Sequence, residues 1–130
     1  MILADTHVVI WLALEPSRIG RKARALIEET RRHGAGIAIS DVTLLEITMI
    51  QSKGRIKLDT SLEAFLSEIE ARFIVLPITG RVCVRALELP MAYPKDPADR
   101  IIAATALVEG IPLITADKGI QRSNVVRTVW

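Results

Sequence analysis

The 130-residue sequence predicts an α/β fold in which a parallel sheet is covered by helices on both faces. Short apolar runs alternate with longer segments of helical spacing from one end of the chain to the other. The runs are apolar throughout instead of alternating inside and outside, as expected of strands buried on both faces. Half of the residues are hydrophobic, enough to bury one core, so residues 1–130 are expected to form a single domain.

Ile2 to Ala4 reads as a first strand, ending at Asp5-Thr6 and feeding a helix over His7 to Leu14. Gly20 to His33 carries Ala23, Leu26, Ile27 and Thr30 at amphipathic spacing, and Gly34 and Gly36 stop it. Ile37 to Ile39 is a second strand, after which Ser40 or Asp41 can cap a helix running to about Ser52. Thr60-Ser61-Leu62-Glu63 has the form of a capping box, ahead of Leu62, Phe65, Leu66 and Ile69 at helical spacing. Phe73 to Leu76 is a third strand, closed by Pro77. Thr79 then opens a helix expected to turn Val82, Cys83, Ala86 and Leu87 inward. Asp96-Pro97 is an N-cap with proline at the first helical position, leading a nearly all-apolar helix to Glu109, with Gly110 beyond it. Pro112 to Ile114 and Val125 to Val129 supply two final strands.

Composition removes several classes of function. A single cysteine, Cys83, excludes a disulfide framework and a cysteine-rich zinc site, and suits a reducing compartment; the expected location is the cytoplasm. No apolar run approaches the ~20 residues of a membrane span, and the first residues lack the basic region of a signal peptide. Seventeen Lys and Arg against 15 acids leave a net charge of only +2. Distribution says more than the sum: Arg18, Arg21, Lys22, Arg24, Arg31 and Arg32 crowd one segment, and Lys53, Arg55 and Lys57 another. Either group can be a solvated face or a phosphate-facing surface. A glycine-rich phosphate loop, a nucleophile elbow and a metal-spaced histidine pair are all missing.

What remains is a set of acids. Ligand sites of open parallel sheets lie beyond the carboxyl ends of the strands, and Asp5 and Asp117 each follow a strand there. Glu46 is surrounded on its helical arc by Val42, Leu45, Ile47, Met49 and Ile50, an apolar setting costly for an unpaired carboxylate. Asp99 opens the most hydrophobic helix. Four carboxylates without matching lysines point to bound cations, and oxygen-only donors select hard ions, magnesium or manganese. Each acid also has a plainer explanation. Asp5 and Asp117 can cap the turns that follow them, Asp99 can complete a capping box with Asp96, and Glu46 can pair with Arg100. Thr6, Ser40, Asp96 and Thr115 flank the site as supporting groups. Asp41 is a further acid near the same edge, and His7 follows Asp5 closely enough to be weighed as a base.

These residues resemble the PIN domain, and within it the VapC toxins of toxin–antitoxin pairs. The likeness rests on Ala4-Asp5-Thr6-His7 with Trp11, Ile39-Ser40 followed by Leu45-Glu46-Ile47, Asp96-Pro97-Ala98-Asp99-Arg100 with Ala103-Ala104-Thr105-Ala106, and Thr115-Ala116-Asp117. It implies a three-layer α/β/α sandwich with strand order 3-2-1-4-5, and Asp5, Glu46, Asp99 and Asp117 as the metal-binding and catalytic acids of a ribonuclease using one or two Mg²⁺ or Mn²⁺ ions. It also implies a homodimer, RNA as substrate and a cognate VapB-like antitoxin. Lys53-Gly54-Arg55-Ile56-Lys57-Leu58 resembles a segment that meets RNA or antitoxin in such toxins, and Arg100 is a further contact of that kind. Asp41 departs from the family's usual small residue. A PIN nuclease with a housekeeping role and a PIN module that binds without cutting are the alternatives. A phospho-receiver is disfavoured, because Phe73 to Ile78 contains no carboxylate.

Overall fold

The computed structural model describes all 130 residues. Its elements run β1 (Ile2–Ala4), α1 (Thr6–Leu14), a 3₁₀ turn (Pro16–Arg18), α2 (Arg21–Arg32), β2 (Ile37–Ser40), α3 (Val42–Ser52), α4 (Leu62–Arg72), β3 (Ile74–Leu76), α5 (Gly80–Leu87), α6 (Pro97–Glu109), β4 (Leu113–Ile114), α7 (Lys118–Ser123) and β5 (Thr128–Val129). The five strands form one sheet in the order β3-β2-β1-β4-β5, and every pairing is parallel. The expected order is borne out.

Strand periodicity of two divides the core into two layers. Ile2, Ala4, Ile37, Ile39 and Ile114 face one side, where they pack with Val8, Val9, Ala23, Ile27, Ile47, Phe65 and Ile69 from α1 to α4. Leu3, Ala38 and Leu113 face the other side, against Ile102, Ala103 and Ala106 of α6, Ile120 of α7 and Tyr93. Apolar surface is thus removed from water on both sides of each inner strand, which is why the strand sequences show no polar alternation.

Several local expectations are corrected. Ser61, one residue later than the proposed box start, caps α4 by accepting from Ala64 N at 3.1 Å, which puts Glu63 at the second helical position and out of a capping box. Cys83 is exposed and Leu87 is 83% exposed, because α5 buries only Val82 fully. On α3 the fully buried positions are Thr43 and Ile47, whereas Leu45 is 59% exposed and Met49 is exposed too. Glu46 therefore lies beside the buried arc of α3 and not at its middle. The last strand is shorter than Val125 to Val129, comprising only Thr128–Val129.

Two glycines matter for where the chain turns. Gly110 ends α6 at φ 67°, a left-handed conformation that a side chain disfavours. Gly20 passes so close to Trp130 that a Cβ there would stand 2.8 Å from the Trp130 carbonyl carbon.

α6 packs on the sheet through small side chains: Ala103 and Ala106, each little more than a methyl group, are buried in one cluster with Leu3, Ala38 and Leu113. Enlarging that contact should be costly. Ala103→Leu is expected to lower stability by about 3 kcal/mol through overpacking, read as a drop in the urea midpoint. An unchanged midpoint would contradict the close packing of α6.

Candidate active site

Asp5 directly follows β1, and Asp117 follows β4 after Thr115 and Ala116. The order 3-2-1-4-5 reverses direction between β1 and β4, so a crevice opens there beyond the strand ends. A pocket at that point is lined by Asp5, Thr6, His7, Trp11, Glu46, Asp96, Asp99, Ala116 and Asp117. Five carboxylates from four different elements therefore share one small cavity. Carboxylate oxygens of Glu46, Asp96 and Asp99 lie within 4.8 Å of one another.

Threonine hydroxyls and helix N-termini hold these acids. Asp5 is buried; its Oδ1 accepts from Thr6 N at 2.8 Å and its Oδ2 from the Thr115 hydroxyl at 2.8 Å. The Thr115 oxygen in turn accepts from Asp117 N at 3.1 Å. Asp117 caps α7, accepting from Ile120 N at 3.0 Å. Asp96 caps α6, accepting from Ala98 N at 2.8 Å and Asp99 N at 3.4 Å. The Thr6 hydroxyl donates to Glu46 Oε1, which joins the start of α1 to α3.

The electrostatics of the pocket are unbalanced. Burial pushes the Asp5 carboxyl above its ordinary value, opposed by the hydrogen bonds from Thr115 and Thr6. Glu46 is raised by burial too, and further by Asp5 and Asp96, against the pull of the Thr6 hydrogen bond. Asp99 is pushed up to about 7 by burial and then by Asp5, Asp96, Glu46 and Asp117. Buried Tyr93, whose hydroxyl reaches the Asp99 carbonyl at 3.4 Å, is raised as well, by burial first and Asp99 next. The two ion pairs of the molecule, Arg18–Glu15 and Arg72–Glu68, are exposed and involve none of these acids.

Thr6 and Thr115 each touch an acid directly. Ser40 is buried, but its hydroxyl accepts from Val42 N at 3.2 Å and so starts α3 without reaching the cluster. Asp41 does not cap α3 with its side chain; its Oδ2 accepts from Ile78 N at 3.2 Å, tying α3 to the chain after β3. Arg100 turns away from the acids, donating to the carbonyls of Ala86, Leu89 and Pro90 at the end of α5. It neutralises neither Glu46 nor Asp99. Asp96, read from the sequence as a supporting group, stands among the acids themselves; its capping role drew attention from its free oxygen.

A groove of about 660 Å³ adjoins the acid pocket and shares His7, Trp11, Glu46 and Asp96 with it. Lys53, Arg55 and Lys57, from the end of α3 and the connection to α4, line it together with Arg18. The Arg18 guanidinium lies 4.2 Å from the centre of the Trp11 ring, and Trp11 packs on Trp130 at 5.7 Å. Of the early basic cluster only Arg18 lines this groove; Arg24 is spent on the Pro16 carbonyl at 3.0 Å.

The chemistry of the donor set fits a hard divalent cation. All donors are oxygens, they converge, and no lysine or arginine lines the pocket; the one basic side chain there is His7, which favours the ionised forms of Asp5 and Glu46. No helix is long and apolar enough to cross a membrane.

Comparison with known proteins agrees with this geometry. Over 131 aligned residues the chain is 32% identical to Ribonuclease VapC22 of Mycobacterium tuberculosis, covering 99% of this chain and 98% of that protein. The fold is similar to VapBC2 from Rickettsia felis bound to a promoter DNA fragment, with TM-score 0.74, 18% identity and coverage of 98% and 97% of the two chains. It is similar also to DNA-bound VapBC from Salmonella typhimurium, with TM-score 0.72, 18% identity and the same coverage. Residues 2–125 match the PIN domain family, and the chain belongs to it.

Proposed function

We propose that this chain is a divalent-metal-dependent ribonuclease that hydrolyses RNA phosphodiester bonds, and that it is the toxin of a toxin–antitoxin pair. The observation that carries the reading is the convergence of Asp5, Glu46, Asp96, Asp99 and Asp117 in one pocket with no lysine or arginine among them. Near full-length similarity to a VapC ribonuclease supports the activity.

Glu46, Asp96 and Asp99 would hold the ion, with Asp5 and Asp117 on the same cavity. When bound, magnesium or manganese supplies Lewis-acid stabilisation of the phosphodiester and the acidity that generates a hydroxide nucleophile. The residues of the chain do the rest. Thr6 and Thr115 fix the orientation of Glu46 and Asp5, and the N-termini of α6 and α7 fix Asp96 and Asp117. Lys53, Arg55, Lys57 and Arg18 attract the RNA backbone into the groove and offset its repulsion by the acids. A VapB-like antitoxin would silence the enzyme by occupying the groove, and the active form would be a cytoplasmic homodimer. Arg100 enters this reading as a brace between α5 and α6, with its guanidinium committed to carbonyls.

RNA cleavage should require Mg²⁺ or Mn²⁺ and stop with EDTA. Asp5→Asn and Asp99→Asn, purified alongside wild type, should each lose more than the roughly 100-fold typical of outer-shell substitutions. Cutting that survives both would refute the site.

The pH dependence of stability without metal follows from Asp99. Its folded value of about 7 exceeds its ordinary 3.8, so the folded state binds the proton more tightly. Stability is therefore greatest below the lower value and declines as pH rises from about 4 to about 7. Melting of the metal-free protein should show this decline, and Asp99→Asn should flatten it. A variant that keeps the wild-type slope would locate the strain elsewhere.

Lys53→Ala combined with Lys57→Ala should weaken RNA binding while leaving the turnover of saturated enzyme nearly unchanged. The slope of log affinity against log salt should fall by about 0.7 for each phosphate contact removed. An unchanged slope would place the RNA outside the groove.

A further inference from the structure

Thr43 lies one helical turn before Glu46 on α3 and is fully buried. Three helical threonines elsewhere in the chain satisfy their hydroxyls locally. Thr30, Thr48 and Thr105 donate to the carbonyls of Leu26, Leu44 and Ile101, each four residues earlier, at 2.7, 2.8 and 2.7 Å. Thr43 is the second residue of its helix, so the residue four positions before it, Ile39, belongs to β2 and presents no carbonyl on the helix. Its hydroxyl is 3.1 Å from the hydroxyl of Thr6.

The direction of the protons follows from valence. A hydroxyl has one proton to give, and an ionised carboxylate can only accept. Thr6 gives its proton to Glu46 Oε1. The proton between the two threonines must then come from Thr43. The result is a directed chain, Thr43 to Thr6 to Glu46, buried at its first two members. Thr6 also donates its backbone N–H to Asp5 Oδ1, so the residue that Thr43 steadies holds two of the acids.

We propose that Thr43 is a positioning residue of the acid pocket: by donating to Thr6 it fixes the hydroxyl that orients Glu46 and leaves the second Glu46 oxygen for a bound cation. The inference rests on the metal-site reading above, and it concerns a residue outside the pocket lining. Removing the Thr43 hydroxyl frees Thr6 to rotate and leaves its oxygen without a donor, which loosens Glu46 without altering any carboxylate.

Isothermal titration of the metal-free protein with Mn²⁺ tests this, with wild type, Thr43→Val, Thr43→Ser and Asp99→Asn compared alongside their melting temperatures. Thr43→Val, close in shape to threonine, should bind Mn²⁺ about tenfold more weakly, while Thr43→Ser stays near wild type and both melt close to it. If Thr43→Val does not fold, Thr43→Ser against Thr43→Ala gives the same comparison of hydroxyl and no hydroxyl, with about tenfold expected between them. Equal affinities within either pair overturn the role of Thr43. If Asp99→Asn is weakened in that case, the acid site stands and only this inference falls. If wild type binds no Mn²⁺, or Asp99→Asn binds it as wild type does, the metal-site reading falls and the inference with it.

Discussion

Glu46, Asp96 and Asp99 bring carboxylate oxygens within 4.8 Å of one another, and two ionised groups at that separation repel by about 3.5 kcal/mol at the effective dielectric of a protein. Several such pairs would consume much of the ~5–15 kcal/mol by which a domain is stable. The fold has to hold the acids together against this repulsion, and local devices supply part of the compensation. Asp5, Asp96 and Asp117 are all N-caps, and Asp99 sits in the first turn of α6. Helix N-termini favour negative charge by about 0.3–1 kcal/mol each at exposed positions, less than a single repulsive pair. Asp5, Glu46 and Asp99 are displaced upward by burial first, and repulsion from neighbouring acids adds to the displacement of Glu46 and Asp99. A divalent cation, in the proposed reading, removes the remainder.

The layered fold was legible because strand burial on both faces leaves an apolar run with no alternation, and β1, β2 and β4 keep that signature. Asp5 and Asp117 could be located as acids directly after strands, and Glu46 as an acid amid apolar neighbours. The placement of α3 was not legible. Val42, Leu45 and Met49 offer one apolar arc and Leu44, Ile47 and Ile50 another, and only packing against the sheet and α6 decides between them. For the same reason Thr43 carried no signal: its importance comes from Thr6, 37 residues away in sequence. Arg100 was misdirected by proximity, since it follows Asp99 in sequence while the carbonyls that bind it belong to the end of α5. The exposure of Cys83 and Leu87 reflects an eight-residue helix that packs mainly along α6 and has a second apolar edge with no neighbour in the monomer.

From sequence, capping and chemistry are competing explanations for Asp5, Asp96 and Asp117; in the structure they are one arrangement. An N-cap carboxylate commits one oxygen to backbone N–H groups, and this fixes the direction of the other. For Asp96 and Asp117 the committed oxygen is Oδ1, bound to Ala98 N and Ile120 N. Rigid backbone donors thereby aim side chains that would otherwise be free at an exposed edge. The same economy explains the position of the basic groove. In the proposed reading, RNA drawn to Lys53, Arg55 and Lys57 meets attraction before it meets the acids; the two regions share His7, Trp11, Glu46 and Asp96 as a common wall. A net charge of +2 could not produce attraction over long distances. Separation of the two signs along one groove can act locally, within the screening length of about 8–10 Å at physiological salt.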